Sequence, residues 1–344
     1  MTPRHTPFFT LLTLLLTLCL LPSGSAQANP SEEPALSEWR VPWGGRPRDP
    51  AVAPDGKVWF CGQAGNYLGR FDPHTEAFTR FELPEGTHPH NLIIDEAGTV
   101  WYAGNQNAHI GALDPASGQI RQYPLPAGVT DPHTLIFGEP NQIWFTAQWS
   151  NVVGLLETDS GKVTVYPMPT PQARPYGIKR DREGTVWVVL LGTHKLAKIR
   201  PESFEVTEIP LPHVDARPRR LEIDPRGDIW YADYGRSTLG RYQPARRKVT
   251  EFPLSPQPHS LPYGTALDHL GWVWVALTGE KPNVLVAFDT AETRIVYRLG
   301  VPSGGAVRYM IHHGQNLWFG VDTGYLARVT LPSSAPASNL HPSE

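Results

Sequence analysis

The chain has 344 residues, of which 18% are charged, and its formal net charge is −3 at pH 7. This slightly acidic balance argues against a nucleic-acid partner, because a nucleic-acid-binding surface needs concentrated Lys and Arg. No glycine-rich phosphate loop, haem-attachment motif, serine-hydrolase elbow or zinc-protease motif occurs in the sequence, so it favours none of those classes.

The first 28 residues have the features of a secretory signal peptide. Arg4 lies in a short N-terminal region, an apolar segment covers residues 8–21, and residues 26–28 form a small-x-small cleavage site. The apolar segment is too short for a stable transmembrane helix. We therefore predict a secreted protein, periplasmic in a cell with two membranes, that has no membrane partner.

Seven tryptophans recur through the rest of the chain and define a repeat of 42 to 44 residues. They are Trp59, Trp101, Trp144, Trp187, Trp230, Trp274 and Trp318. A fixed period of this length indicates one supersecondary unit repeated in an array. Each unit contains four short alternating runs, separated by turns of Gly, Pro and Asp. The sequence thus predicts an all-β fold, a seven-bladed β-propeller of four-stranded antiparallel blades.

The two ends of the chain complement each other. The seventh repeat has the Trp318 strand and a third strand over 325–329 but no fourth, whereas residues 38–42 resemble the outer strand of a blade. We predict that this N-terminal strand completes the last blade and closes the ring, which pairs two open edges. The alternative is an unpaired leader that happens to contain Trp39.

These boundaries divide the chain into four predicted segments. After the signal peptide, 1–28, we expect a disordered leader over 29–37, the propeller over 38–331 and a disordered tail over 332–344. Both flanking segments are rich in Pro and Ser or Glu, a composition that does not form a packed core. We expect the protein to be a monomer.

One residue per repeat is predicted to face a mouth of the central channel. It lies eleven positions before the tryptophan, or ten in the last repeat, and in the first six repeats it follows a proline, which fixes its backbone. We call these residues the mouth ring: Arg48, His90, His133, Tyr176, Arg219, Tyr263 and Arg308. Three Arg, two His and two Tyr predict a funnel of donors for an anionic or ester ligand. The alternative is a solvated channel rim.

The position three residues after each tryptophan is expected to lie across from the mouth ring. It is small or apolar in every repeat except the fifth, where Asp233 could act as a base or a metal ligand, or simply pair with Arg219. Gly and Ala at this position leave space in the first three repeats, beside the two histidines. There, Asp131-Pro132-His133 places a carboxylate where it can orient an imidazole.

The third repeat contains the motifs Pro132-His133-Thr134-Leu135, Ile143-Trp144-Phe145-Thr146, Asn151-Val152-Val153-Gly154 and Tyr166-Pro167-Met168-Pro169. In these motifs the repeats resemble the streptogramin B (virginiamycin B) lyases, and the resemblance covers nearly the whole chain after the leader. This resemblance implies a seven-bladed monomer that opens a cyclic depsipeptide antibiotic by elimination across its ester, with Mg²⁺ and a general base.

The site residues of these lyases are not matched on the corresponding blades. The resemblance implies a substrate-binding His at Tyr263, a base at Arg308, and metal-binding Glu residues at Ala306 and Val321. If the same set of site residues is sought on the second and third blades, the two histidines and Asp131 match it. Ala147, however, stands where a metal-binding Glu is implied. Mg²⁺ is thus a cofactor implied by resemblance whose ligands are missing, and we assign no residue to a metal.

Two classes of function remain open. In the first, the protein is a lyase-type enzyme, or a related hydrolase, that acts on an ester- or carboxylate-containing small molecule. Its catalytic residues would be His133, as the base oriented by Asp131, and His90. Its substrate-binding residues would be Arg48, Tyr176, Arg219, Tyr263 and Arg308. In the second, the mouth ring captures an anion without turnover, or the propeller scaffolds a protein partner.

Overall fold

The computed structural model describes residue 1, residues 33–200 and residues 203–335. The predicted signal peptide, apart from Met1, lies outside these residues, as do 29–32 of the leader and 336–344 of the tail. The described chain forms seven separate four-stranded antiparallel sheets arranged as a ring. The predicted seven-bladed propeller is confirmed.

Strands alternate in direction within each blade, from the channel to the rim. The innermost strands are β2 (Pro47–Val52), β6 (Pro89–Ile94), β10 (Pro132–Phe137), β14 (Pro175–Arg180), β18 (Pro218–Ile223), β22 (Pro262–Leu267) and β26 (Met310–His313). The second strands, which carry the seven tryptophans, are β3 (Val58–Gly62), β7 (Val100–Gly104), β11 (Gln142–Ala147), β15 (Val186–Leu190), β19 (Ile229–Asp233), β23 (Trp272–Leu277) and β27 (Asn316–Val321).

The third strands are β4 (Tyr67–Asp72), β8 (His109–Leu113), β12 (Val152–Glu157), β16 (Lys195–Ile199), β20 (Thr238–Gln243), β24 (Val284–Asp289) and β28 (Tyr325–Thr330). The outer strands are β5 (Ala77–Glu82), β9 (Ile120–Pro124), β13 (Val163–Pro167), β17 (Val206–Pro210), β21 (Lys248–Pro253), β25 (Arg294–Gly300) and β1 (Ala35–Arg40). A short 3-10 helix, Gln63–Gly65, follows β3. None of the described residues lies in a helix that is both long enough and apolar enough to cross a membrane.

Strand β1 closes the ring, as the sequence predicts. It pairs with β28 in the last blade, and its register places Glu38 opposite Ala327. The strand begins earlier than expected, because residues 35–37 also pair with β28. The disordered assignment of 29–37 is therefore wrong for these three residues, whose backbone groups are satisfied by the last blade.

The seven tryptophans pack between neighbouring blades. Each is at most 5% exposed, and each belongs to one of the apolar clusters of the blades. In four blades the indole N–H also donates to an Asp six positions earlier, for example Trp101 to Asp95 at 2.9 Å. The repeating tryptophan thus stabilises the packing between blades and, in these four blades, also the turn before its strand.

A bulge repeats in the innermost strand of the first six blades. In each of them the register shifts soon after the opening proline. The residue three positions after the tryptophan lies opposite that proline, as Ala147 does opposite Pro132. The sequence predicts that this residue lies across from the mouth-ring residue that follows the proline, and this prediction is wrong by one position. Bulges redirect side chains, and here the bulge lies where the mouth-ring residues enter the channel.

Candidate functional site

The mouth-ring side chains converge in the channel. The ring centroids of His90 and His133 are 3.6 Å apart, and those of His133 and Tyr176 are 4.1 Å apart. The hydroxyl groups of Tyr176 and Tyr263 form a hydrogen bond between the fourth and sixth blades. Residues from non-adjacent repeats are therefore in direct contact, although their roles as site residues remain predictions.

Arg219 lies in an aromatic cage at this mouth. Its guanidinium carbon is 4.1 Å from the ring centroids of both Tyr234 and Tyr263. The guanidinium carbon of Arg308 also lies 5.5 Å from the ring centroid of Tyr263. Burial alone would raise the pKa of Tyr263, but the positive charges of Arg219, Arg48 and Arg308 lower it. The cage thus holds cations against aromatic faces, an arrangement that stabilises a guanidinium without an acidic partner.

Positive charge exceeds negative charge at the mouth. Asp49 forms ion pairs with both Arg48, whose Nε lies 2.9 Å from Oδ1, and Arg220, whose Nη2 lies 3.3 Å from Oδ2. Within the described part of the chain, Arg219 makes no salt bridge, and Nη2 of Arg48 and Nε of Arg219 are buried N–H groups without a hydrogen-bond partner. Arg48 and Arg220 therefore share one carboxylate, Arg219 has none among the described residues, and unsatisfied donors remain for an anion.

The channel floor was not predicted from the sequence. It is formed by residues one position after the mouth ring, and Asp49 is fully buried at its centre. Arg220 donates to Thr134 at 2.9 Å, and Asn91 donates to Asp49 at 3.1 Å. The available signal was the polar residue type at this position in four repeats: Asp49, Asn91, Thr134 and Arg220. These buried contacts join four blades below the mouth.

Both imidazoles of the mouth are buried and held by neutral partners. Nδ1 of His90 is 3.2 Å from the carbonyl oxygen of His133, and Nδ1 of His133 is 2.8 Å from Oγ1 of Thr134. Burial, and then the charges of Arg48 and Arg220, lower the pKa of both histidines well below 6.5. Both imidazoles are therefore neutral at pH 7, the form in which a histidine can act as a base.

The expected contact between Asp131 and His133 is absent. Asp131 has a left-handed backbone, with φ of 54°, and its carboxylate accepts from the backbone N–H groups of Trp149, at 2.7 Å, and Ser150, at 3.2 Å. It thereby stabilises the loop after β11 instead of orienting the imidazole, which corrects the orienting role expected for it. Thr134 contacts His133 in its place.

Asp233 also has a structural setting. Its Oδ1 accepts from three backbone N–H groups, including those of Arg217 and Gly235. Arg219 does not pair with it, because that guanidinium stacks on the tyrosines. The expectation that Asp233 could pair with Arg219 is therefore wrong.

The mouth is packed rather than open at the level of the ring. Five of its members are buried: Arg48, His90, His133, Tyr176 and Tyr263. A cleft of about 510 Å³ lies instead at the opposite end of the fourth and fifth blades. Two of its carboxylates, Asp224 and Asp228, are already bound to Arg226 and Arg241. The unpaired guanidinium of Arg219 makes the mouth the stronger candidate for recognition of an anion.

The residues present do not fit the Mg²⁺ implied by the resemblance. In the last blade Arg308 forms a salt bridge with Asp322 at 2.7 Å. The guanidinium therefore already neutralises this carboxylate, which would otherwise be available to a metal ion. Ala147 and Val321 are buried apolar residues. Across the described residues, no group of three or more His, Cys, Asp and Glu side chains is arranged to hold a metal ion. Mg²⁺ needs several oxygen ligands, and this mouth offers mainly cations.

Comparisons with known proteins agree with this architecture. Residues 27–285 match the Virginiamycin B lyase family. Selenomethionine-substituted virginiamycin B lyase from Staphylococcus aureus is similar, with 23% identity, a TM-score of 0.79, and coverage of 87% of this chain and 100% of that one. A streptogramin B lyase structure has 21% identity, a TM-score of 0.77, and coverage of 87% and 98%.

A protein of another kind has a similar fold. The extracellular domain of a putative one component system from B. thetaiotaomicron has 15% identity, a TM-score of 0.69, and coverage of 85% of this chain and 39% of that one. No curated protein matches this chain. At these identities the structural likenesses show the fold alone.

Proposed function

The chain belongs to the virginiamycin B lyase family, and from this premise we propose that it is a lyase-type enzyme acting on a small molecule that carries an ester and a carboxylate. The molecule would bind at the mouth ring, above the floor formed by Asp49 and Arg220. The protein would act as a secreted monomer, as its sequence predicts. The antibiotic chemistry of the S. aureus relative is not carried over, because the metal ligands it implies are not matched.

The excess of guanidinium groups over carboxylates carries this proposal. Arg219 has no acidic partner among the described residues, and its Nε is buried without an acceptor. Leaving a buried N–H of a charged group unsatisfied is costly, and a ligand carboxylate would supply the missing acceptor. Arg48 offers a second such N–H from the opposite side of the mouth.

The neutral imidazoles favour chemistry at the same place. His90 and His133 lie side by side next to Tyr176, and their lowered pKa values keep them unprotonated at neutral pH. A carboxylate or carbonyl held by Arg219 would become more electron-withdrawing, which makes a proton on the adjacent carbon easier to remove. The mouth thus combines an anion clamp with a base.

A non-catalytic ligand-binding propeller is the second candidate. The packing of five buried side chains in the mouth favours it, because a substrate must displace some of them to reach the imidazoles. The similar extracellular domain of a putative one component system belongs to a protein of a different kind, which supports this reading. Both candidates require Arg219 to bind an anion, and they differ only in turnover.

The experiment is a binding and turnover screen of esters that carry a carboxylate and an acidic C–H. Elimination would release the acid and leave an unsaturated product without added mass, whereas hydrolysis would add one water, and mass spectrometry distinguishes them. Binding by calorimetry without a product would favour the non-catalytic candidate. Arg219→Ala should weaken binding or raise KM by roughly 10-fold or more, the loss expected for a charged hydrogen bond.

The matched control is Arg294→Ala. Arg294 is an exposed arginine on an outer strand that pairs with Glu292, and its loss should leave binding unchanged. Equal binding by wild type and Arg219→Ala, or no binding of any carboxylate ester, would overturn the proposal.

A further inference from the structure

We infer that the two mouth histidines hold opposite tautomers, which makes His90 the base and His133 a hydrogen-bond donor to the leaving group. The tautomers follow from contacts within the protein, whereas the catalytic roles rest on the proposed function. This assignment reverses the roles expected from the sequence, in which His133 is the base.

The tautomer of His90 is set by a carbonyl group. Its Nδ1 lies 3.2 Å from the carbonyl oxygen of His133, which can only accept a hydrogen bond, so Nδ1 must carry the proton. A neutral imidazole has one N–H, and Nε2 of His90 therefore has a free lone pair. The described residues offer this nitrogen no hydrogen-bond partner. It is the free base of the mouth.

The tautomer of His133 is set by Thr134 and Arg220. Oγ1 of Thr134 accepts a hydrogen bond from Nη1 of Arg220 at 2.9 Å, and it lies 2.8 Å from Nδ1 of His133. Thr134 is 2% exposed, and in the described part of the chain its hydroxyl proton has no other acceptor than this Nδ1. The hydroxyl therefore donates to Nδ1, and His133 carries its proton on Nε2.

The two rings then present a base and a donor next to each other, with centroids 3.6 Å apart. In an elimination, Nε2 of His90 would take the proton from the carbon beside the substrate carbonyl. The C–H electron pair would form the carbon–carbon double bond. The bond from the neighbouring carbon to the ester oxygen would break, and that oxygen would leave as a carboxylate that accepts the N–H of His133. The proton ends on His90, and no oxidant or metal is needed.

The direct test is ¹⁵N NMR of the histidine side chains in the full protein at neutral pH. Long-range ¹H–¹⁵N spectra distinguish a protonated ring nitrogen from a bare one, and His90→Gln and His133→Gln identify the two residues. We expect a bare Nε2 in His90 and a protonated Nε2 in His133. The same tautomer in both residues, or a charged ring in either, would overturn the inference.

Substitutions at Thr134 test the cause of the pattern. Thr134→Ser keeps the hydroxyl and should preserve the protonated Nε2 of His133. Thr134→Val removes it and should shift His133 toward the other tautomer while His90 stays unchanged. An unchanged His133 spectrum in Thr134→Val would contradict the assignment, and the native His90 signal serves as the internal check that the variant is folded.

Turnover of a substrate found in the screen separates the roles. His90→Gln should lower kcat by about 10²–10⁴-fold, the usual contribution of general base catalysis, because an amide cannot accept the proton. His133→Gln keeps a side-chain N–H donor and should retain more activity than His133→Ala. A larger loss of kcat in His133→Gln than in His90→Gln would show instead that His133 is the base. Absence of turnover with the expected tautomers would count against the proposed function but leave the tautomers standing.

Discussion

Arg220 of the fifth blade reaches across the channel and places its Nη2 3.3 Å from Oδ2 of Asp49 on the first blade. The two residues are 171 positions apart, and their side chains are at most 3% exposed. This contact joins opposite sides of the ring and forms the floor on which the mouth residues lie. It also leaves Arg48 with only a share of the Asp49 charge.

Removal of this contact should destabilise the propeller. In Arg220→Met, Asp49 keeps Arg48 and Asn91, so we expect a loss of about 3 kcal/mol in the free energy of unfolding, at the lower end for a broken buried ion pair. Urea denaturation followed by tryptophan fluorescence measures it. Arg294→Met, at an exposed pair, is the control and should cost less than about 1 kcal/mol. Equal costs for the two variants would contradict a structural floor.

The repeated tryptophan can be tested in the same way. Trp144 is 3% exposed within a blade interface, whereas Trp149 is 64% exposed on a nearby loop. Trp144→Ala should cost roughly 3–5 kcal/mol, the usual effect of a deleted buried aromatic side chain. Trp149→Ala should change unfolding little. The comparison fails if both variants unfold at the same urea concentration as the wild type.

Closure of the ring by β1 predicts the result of truncation. Strand β1 covers the edge of β28, and Glu38 accepts from the backbone N–H of Ser303 at 3.0 Å. A protein that starts at residue 41 should expose a free edge and associate. A protein that starts at residue 34 keeps the strand and should remain monomeric. Light scattering after gel filtration distinguishes the two, and a monomeric protein from the shorter chain would argue against a structural role for β1.

The pH dependence of any activity should reflect the buried imidazoles. The base works in its neutral form, so the rate falls as pH drops through its pKa. Burial and Arg48 lower the pKa of His90 well below 6.5. We therefore expect kcat/KM to stay constant through neutral pH and to fall only in acid, below pH 6.5. A profile whose acid limb is centred at or above pH 6.5 would be inconsistent with a buried, neutral His90.

Cleavage of streptogramin B antibiotics should be weak or absent. The positions where the resemblance implies metal-binding Glu residues hold Ala306 and Val321, and Arg308 with Asp322 fills the adjacent space with an ion pair. Mass spectrometry of the antibiotic, with and without added Mg²⁺, measures ring opening. Rapid, Mg²⁺-dependent ring opening would show that the mouth holds a metal in a way that these contacts do not suggest.

The repeat made most of the fold predictable from the sequence. The spacing from Trp59 to Trp318 sets the blade count, and the missing fourth strand after Trp318 identifies β1 as its replacement. These features are local or periodic, because each blade must bury the same apolar face against its neighbours. The residues of the mouth ring could also be identified from the sequence, because six of them follow a proline at the same position of the repeat.

The contacts within the mouth were decided by the tertiary structure alone. Tyr176 and Tyr263 are 87 residues apart, and only closure of the ring brings their hydroxyls together. The left-handed backbone of Asp131 turns its carboxylate to a loop, and Thr134 takes the place expected for it beside His133. A repeat specifies where each side chain enters the channel. Which partner it meets there depends on packing and charge across the ring, and neither is encoded in any single repeat.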